Sequence, residues 1–182
     1  MQTEIIVAGF GGQGVLFGGQ LLAYAGLDEG KNVTWIPAYG PEMRGGTANC
    51  TTIISDEEIG SPLVRNPSAV IAMNRPSLDK YEAQVKPGGV LVVNTSMVDR
   101  PVERTDINVI EVDANAIAEK LGDKRMSNMV LLGALLANLN VLPQTAIENA
   151  LKGHLPERHH KLLPLNYEAI RAGAKIPARK AI

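Results

Sequence analysis

The residues best suited to bind a ligand form a short glycine-rich segment, Gly9-Phe10-Gly11-Gly12-Gln13-Gly14. An apolar run at residues 5–8 precedes it, and a helix-like stretch at residues 15–27 follows it. Glycines in such a strand-to-helix turn can adopt positive φ and leave N–H groups bare at the helix N-terminus, where anions are favoured. The segment therefore predicts a nucleotide- or phosphate-contacting turn, with candidate residues Gly11, Gly12, Gln13 and Gly14. The alternative is that the glycines only form a tight turn.

A second candidate segment is Tyr39-Gly40-Pro41-Glu42-Met43-Arg44-Gly45-Gly46. A Gly-Pro and a Gly-Gly pair bracket an acid, a base and a tyrosine, and loops with such a mixture carry function more often than core elements do. The alternative is a surface connection held by an ion pair between Glu42 and Arg44, which would contribute little free energy. We take the loop as functional and select from it Tyr39, Arg44, Gly45 and Gly46.

Neither catalytic residues nor metal ligands can be selected from the rest of the chain. Cys50 lies in a strand-like stretch, where a small buried hydrophobic residue is expected. His159 and His160 are adjacent and His154 stands alone, so we expect solvated histidines at helix ends rather than metal ligands. No Walker loop and no Gly-x-Ser-x-Gly motif occurs. A strand at residues 32–36 is not followed by the acidic residue that a dinucleotide site requires, which disfavours NAD.

Composition excludes several other functions. The net charge of −1 gives no electrostatic footprint for nucleic acid. No apolar run approaches the ~20 residues of a membrane span, and the N-terminus shows no signal-peptide pattern. The single cysteine allows no intrachain disulfide and no cysteine-ligated cluster. We therefore expect a cytoplasmic protein that binds neither nucleic acid nor membrane.

Short apolar strands alternate with helices along the chain, which predicts an α/β fold. We expect a mainly parallel mixed sheet with helices on both faces, a Rossmann-like three-layer sandwich, in a single domain over residues 1–182. The strand at residues 47–55 should be antiparallel to its neighbour, because the preceding connection is too short for a helical crossover. Asp113 and Ser127 are predicted helix caps. The helix at residues 128–139 is apolar nearly all round, so it should be buried in the domain or against a partner. Pro164 and Pro177 should break the C-terminal tail, which becomes an extended arm from about residue 174.

Both glycine-rich segments resemble a known family, the gamma subunits of 2-oxoacid:ferredoxin oxidoreductases. Residues 6–15 are similar to the family's opening, residues 39–46 to its second signature, and residues 49–59 continue that signature in register. Residues 128–134 and 165–173 resemble its later segments, so the similarity covers nearly the whole chain.

The resemblance implies a subunit of a complex with alpha and beta subunits and an iron–sulfur delta subunit. Such complexes oxidatively decarboxylate a 2-oxo acid on thiamine diphosphate, transfer the acyl group to coenzyme A and reduce ferredoxin through iron–sulfur clusters. The other subunits hold most of these cofactors, so the isolated chain should be inactive. The sequence of residues 42–44 and 59–62 favours 2-oxoglutarate or a branched-chain 2-oxo acid over pyruvate as the substrate.

The glycine turn and the Arg44 loop would then suit coenzyme A, because N–H groups and a guanidinium both complement phosphate oxygens. Alternatively, the same loops contact only a partner subunit. Two other hypotheses remain open: a free-standing nucleotide-binding module or NAD-dependent enzyme, and an interaction subunit whose glycine loop binds nothing. The isolated chain could also form a homodimer.

Overall fold

The computed structural model describes residues 1–40 and 46–182. The strands are β1 (Gln2–Phe10), β2 (Asn32–Tyr39), β3 (Thr47–Ser55), β4 (Ala69–Ala72), β5 (Val90–Asn94) and β6 (Asn108–Val112). The α-helices are α1 (Val15–Asp28), α2 (Arg75–Tyr81), α3 (Ala114–Lys120), α4 (Ser127–Asn138), α5 (Gln144–His154) and α6 (Leu163–Ala174). Short 3₁₀ turns occupy Glu82–Gln84, Lys124–Met126 and Glu157–Leu162. In these ranges no helix is both long and apolar enough to cross a bilayer.

All six strands belong to one mixed sheet in the order β2-β3-β1-β4-β5-β6. The pairs β1–β4, β4–β5 and β5–β6 are parallel, whereas β3 runs antiparallel to both β1 and β2. The predicted mixed, mainly parallel sheet is therefore confirmed. So is the reversed direction of β3, which follows β2 through a connection too short to hold a crossover helix.

Helices cover the two faces of the sheet unequally. One face packs against α1, α3, α4, α5 and α6 through a continuous apolar cluster. The other carries α2 and apolar residues of the β5–β6 connection, namely Val98, Val102 and Ile107. That connection contains no helix and is fastened instead by Glu82, whose carboxylate accepts the backbone N–H groups of Glu103 and Arg104 at 2.7 and 3.2 Å. The predicted three-layer arrangement is confirmed, with a thin second layer.

Helix α4 lies in the core, as its apolar sequence predicts. Its close neighbour is α6, and each helix presents a glycine at the contact. A Cβ atom built on Gly133 would overlap the backbone of Ile170, and one built on Gly173 would overlap the backbone of Val130. The two backbones therefore approach to a distance that only glycine permits at these positions.

One predicted helix cap and one predicted break are wrong, and a second predicted cap is confirmed in position only. Ser127 is the first residue of α4, because a 3₁₀ turn leads directly into the helix and puts Met126 at the cap position. Asp113 is the N-cap residue of α3, as predicted, but its carboxylate accepts the hydroxyl of Ser96 and makes no cap bond. Asn94 and Ser96 supply cap bonds instead, accepting the N–H groups of Ala114 and Asn115 at 3.3 and 3.0 Å. Pro164 lies in the first turn of α6, where a missing N–H is tolerated, and does not interrupt the helix.

The C-terminal arm is extended and lies along the outer edge of β6. Val109 and Arg179 exchange backbone hydrogen bonds of 2.9 and 2.7 Å, and the N–H of Ile182 donates to the carbonyl of Thr105 at 2.9 Å. Since β1 and β6 run in the same direction, Met1 and Ile182 both lie where these strands begin. The glycine turn follows the opposite end of β1.

Candidate functional site

The glycine turn lies at a crevice between the carboxyl ends of β1 and β4. These neighbouring parallel strands are followed by α1 and α2, which pack on opposite faces of the sheet. Where successive helices leave to opposite faces, the connecting loops separate and open the crevice in which α/β proteins bind ligands. The fold therefore places the first candidate segment where ligand binding is expected.

The backbone of the turn directs N–H groups outward. Gly12 and Gly14 have φ angles of 96° and 74°, which favour glycine, and Gly14 is the N-cap residue of α1 without a side-chain cap. Two N–H groups of the turn are occupied, because Gly11 donates to the Gly46 carbonyl at 2.9 Å and Gln13 donates to the Phe10 carbonyl at 3.2 Å. Within the described part of the chain, the N–H groups of Gly12 and Gly14 have no acceptor. Together with the start of α1 they favour an anion.

The side chain of Gln13 folds back beneath the turn. Its carbonyl oxygen Oε1 accepts the Phe10 N–H at 2.6 Å and the Asn74 Nδ2 amide at 3.3 Å. A Cβ atom on Gly9 would lie only 2.6 Å from this oxygen, so the position requires glycine. Gln13 thus contributes to the inner hydrogen bonding of the turn.

Asn128, at the start of α4, closes the other side of the turn. A Cβ atom on Gly14 would overlap the Asn128 amide, whose Nδ2 donates to the Gly14 carbonyl at 3.4 Å. The side chain of Asn128 is almost fully buried. Glycine is therefore required at position 14 for two reasons: its φ is positive, and the side chain of Asn128, far away in the sequence, leaves no room for a Cβ atom.

Beside the turn lies an open depression of about 360 Å³. Tyr39 and Phe17 are the large exposed side chains of its wall, with 65% and 37% of their surface accessible. They stand at the end of β2 and in the first turn of α1. Its remaining described lining residues are Phe10, Gly11, Gly12, Gly14, Val15, Leu16 and Ala48, and none is a lysine or arginine. Its polarity therefore comes from the backbone of the turn and from the hydroxyl of Tyr39, and its described walls are otherwise apolar and aromatic.

The structure brings together most of the candidate residues that it describes. Gly11, Gly12, Gly14 and Tyr39 line the depression, and Gly46 is joined to the turn through its carbonyl. Gln13 lies beneath the turn, as its two side-chain bonds show. Arg44 and Gly45 lie outside the described residues, so their roles stay predictions.

Sequence reasoning missed three residues of the site: Phe17, Asn74 and Asn128. The sequence contains a weak indication of Asn74. Asn74 comes soon after the apolar strand β4, and Asn94 is the last residue of the apolar strand β5. Those asparagines, Asn74 and Asn94, are buried and use their amides to join the ends of neighbouring strands. Asn128 could not be found, because only the tertiary fold brings it to Gly14.

Outside the site, the structure changes one expectation and confirms another. His154 is not merely solvated: its ring stacks on Tyr24 at 4.1 Å between centroids, and its Nε2 lies 3.0 Å from an Asp28 carboxylate oxygen. Cys50 is fully buried, and burial raises the pKa of its thiol to about 11, so it is the small buried hydrophobic residue expected. Across residues 1–40 and 46–182, no three His, Cys, Asp or Glu side chains gather as metal ligands would.

Known proteins are similar to this chain in sequence and in fold. The family model described as "Pyruvate ferredoxin/flavodoxin oxidoreductase" matches residues 4–176. The 2-oxoglutarate synthase subunit KorC of Methanothermobacter marburgensis is 39% identical over 86% of this chain and 88% of its own length. The ketoisovalerate oxidoreductase subunit VorA of the same organism is 37% identical over 95% of this chain. The chain spans only 36% of the length of VorA.

Two solved structures are also similar. The gamma subunit of a keto/oxoacid ferredoxin oxidoreductase from Geobacter sulfurreducens superposes with a TM-score of 0.84 and 30% identity, covering 96% of this chain and 95% of that one. The 2-oxoglutarate:ferredoxin oxidoreductase of Magnetococcus marinus, solved with 2-oxoglutarate, coenzyme A and succinyl-CoA bound, gives a TM-score of 0.84 and 25% identity. It matches over 94% of this chain and 30% of that one.

Proposed function

Because the chain belongs to the pyruvate ferredoxin/flavodoxin oxidoreductase family, we propose that it is the gamma subunit of a 2-oxoacid:ferredoxin oxidoreductase and that its glycine turn binds coenzyme A. The observation that carries the first part is the match to KorC, a single subunit that the chain covers over 88% of its length. The partners are then the alpha and beta subunits and an iron–sulfur delta subunit, with ferredoxin as acceptor of the complex, in the cytoplasm.

The proposed substrate is 2-oxoglutarate or a branched-chain 2-oxo acid. The names of the two relatives support this, since KorC belongs to a 2-oxoglutarate synthase and VorA to a ketoisovalerate oxidoreductase. The chain itself takes no part in breaking the carbon–carbon bond of the 2-oxo acid, the step that releases carbon dioxide. Thiamine diphosphate and the iron–sulfur clusters of the partner subunits supply that chemistry and the electron transfer.

The depression beside the glycine turn suits part of coenzyme A in its chemistry. The N–H groups of Gly12 and Gly14, with the positive end of the α1 dipole, complement phosphate oxygens. Phe17 and Tyr39 offer aromatic surface to the apolar part of the molecule. The similar Magnetococcus marinus enzyme, whose structure contains coenzyme A, supports the same ligand here. In this role the chain orients the thiol carrier, and other subunits perform the redox steps.

Anaerobic affinity purification of the tagged chain from its own host tests the assembly. Recovery of a thiamine-binding beta subunit and an alpha subunit is the expected result. The purified complex is then assayed with a panel of 2-oxo acids, coenzyme A and an artificial electron acceptor, and 2-oxoglutarate or a branched-chain acid should be preferred. Recovery of the chain alone, with binding of NAD in a titration, would instead identify a free-standing nucleotide-binding module.

Calorimetric titration of the full chain with coenzyme A tests the ligand site. We expect Phe17→Ala to weaken binding about tenfold, because Phe17 forms part of the depression wall. The matched control is Leu27→Ala on the same helix, since Leu27 is also an exposed apolar side chain but does not line the depression. Equal losses for the two variants, or no binding to the wild-type chain, would place coenzyme A elsewhere in the complex.

A further inference from the structure

Two amide side chains join the walls of the crevice. Asn74 lies two residues beyond the end of β4, and Gln13 belongs to the turn after β1. The Nδ2 group of Asn74 donates to the Oε1 atom of Gln13 at 3.3 Å. Only 1% of the surface of Asn74 is accessible to solvent, so water cannot readily replace this bond.

The direction of that bond is determined by two backbone donors. The Ser77 N–H donates to Oδ1 of Asn74 at 3.0 Å, which leaves only Nδ2 to face Gln13. The Phe10 N–H donates to Oε1 of Gln13 at 2.6 Å, which presents the same oxygen to Asn74. A backbone N–H can only donate, so neither amide can rotate by 180° without losing a bond. The bonds therefore run from Ser77 through Asn74 to Oε1 of Gln13, which also accepts the Phe10 N–H.

We propose that Asn74 is a positioning residue, which sets the conformation of the glycine turn through Gln13 and thereby its affinity for the anionic ligand. The affinity part of this inference rests on the proposed function, whereas the conformational part does not. Asn74 does not line the depression and acts only through Gln13. It also caps α2, so its role in the site must be separated from its role as a cap.

Two substitutions that convert an amide into a carboxylate separate these roles. In Asn74→Asp the new carboxylate still accepts the Ser77 N–H, because Asp caps helices as well as Asn does. It can no longer donate, however, so the Gln13 amide must reverse to meet it, and the Phe10 N–H loses its acceptor. In Gln13→Glu both contacts survive, because a carboxylate accepts from Phe10 and from Asn74 alike.

Amide hydrogen exchange of the full chain measures the difference. We expect the Phe10 amide to exchange at least about tenfold faster in Asn74→Asp and to remain protected in Gln13→Glu. Both variants add one negative charge at nearly the same place, so charge alone predicts equal effects. Wild-type protection of Phe10 in Asn74→Asp, or equal acceleration in both variants, would overturn the proposal.

An uncharged pair of variants tests the effect on the ligand. Asn74→Ser keeps a capping oxygen and removes the amide donor, and we expect coenzyme A to bind about threefold to tenfold more weakly. The control is Asn94→Ser, one strand away, since Asn94 hydrogen-bonds to the start of α3 and to the Met73 carbonyl, and none of its described hydrogen bonds reaches the turn. Its coenzyme A affinity should equal that of the wild type.

The two readouts distinguish failure of this inference from failure of the proposed function. If the wild-type chain binds coenzyme A and Asn74→Ser binds it equally well, Asn74 is only a cap and the proposal is wrong. If the wild-type chain does not bind coenzyme A, the proposed ligand is wrong, and the Phe10 exchange rates alone decide whether Asn74 positions the turn.

Discussion

Cys50 shows how a single buried residue couples the fold to pH. Its thiol lies between β3 and α1, with Sγ 3.5 Å from the carbonyl of Val15. Burial disfavours the thiolate and raises the pKa to about 11. In the unfolded chain the same thiol ionises near its ordinary value. The unfolded state therefore loses a proton at lower pH than the folded state does.

The stability of the wild-type chain should consequently fall between about pH 9 and pH 11 by about 2–3 kcal/mol more than that of Cys50→Ala. Below pH 9 both states hold the proton, so the contribution of Cys50 is fully present there, and it is lost as the pH rises through the folded-state pKa. Urea denaturation at closely spaced pH values measures the difference. If the free energy of unfolding changed with pH equally in the two proteins, the thiol would not be buried in solution.

For individual residues, the sequence predicts a role correctly where that role follows from the residue's own backbone conformation or side chain. Gly12 and Gly14 were predictable because positive φ selects glycine, and Cys50 because strand residues with small apolar side chains are buried. Asn74 and Asn128 were not, because their role depends on which strand ends and helices become neighbours. The capping role of Asn94 was missed for the same reason, since α3 is 20 residues away from it in the sequence.

Helix α1 carries adjacent glycines with different surroundings. Gly18 has open space where a Cβ atom would lie, whereas a Cβ atom on Gly19 would overlap the Sγ atom of Cys50. The helix can therefore lie close to β3 only along the line of Gly19. Neighbouring positions in one helix should thus respond oppositely to the same substitution.

We expect Gly18→Ala to stabilise the chain by about 0.5–1 kcal/mol, because alanine reduces the entropy lost on helix formation. Gly19→Ala should destabilise it by about 1–3 kcal/mol through overpacking. Chemical denaturation of both variants tests the contrast. Combining Gly19→Ala with Cys50→Ala should recover part of the loss, and a strictly additive double variant would contradict the overlap with Cys50.

The contact of α4 with α6 is a second place where a helix tolerates no side chain. Gly173→Ala would drive a methyl group into the Val130 carbonyl, which also accepts a helical hydrogen bond. We expect a loss of about 3 kcal/mol or more in the free energy of unfolding. The control is Gly153→Ala in α5, where a Cβ atom meets nothing within 4 Å and no loss should occur. Similar stabilities would show that the two helices separate in solution.

For the molecule as a whole, the two edges of the sheet are protected by different means. On β2, Pro37 removes one backbone donor from the outer strand, which discourages pairing with another chain. On β6, the C-terminal arm occupies the edge through the bonds between Val109 and Arg179. Removal of the arm should therefore expose a new edge.

Deleting residues 176–182 should lower the stability by about 2 kcal/mol, because several backbone hydrogen bonds are lost. The Val109 amide should lose its protection from hydrogen exchange. A shorter deletion of residues 180–182 retains the bonds with Arg179 and should leave Val109 protected. Rapid exchange of Val109 in the intact chain would show that the arm does not hold this edge in solution.

The predicted fold agrees with the structure at this scale because short apolar strands alternating with helices admit few topologies. The direction of β3 followed from the length of one connection. The unequal covering of the two faces did not follow, because an irregular segment that packs apolar residues such as Val98 and Val102 resembles an exposed loop in sequence. The helical start at Leu163 was missed because a proline in the first turn resembles a break.

Both chain ends lie where the parallel strands begin, at the end of the sheet opposite the glycine turn. This position bears on how genes for such proteins can be arranged. A polypeptide joined before Met1 or after Ile182 emerges on the far side of the sheet and leaves the crevice clear. The same unit can thus be translated separately or within a longer reading frame without change to its site. The matching segments of VorA and of the Magnetococcus marinus enzyme, each about a third of a longer chain, illustrate the second arrangement.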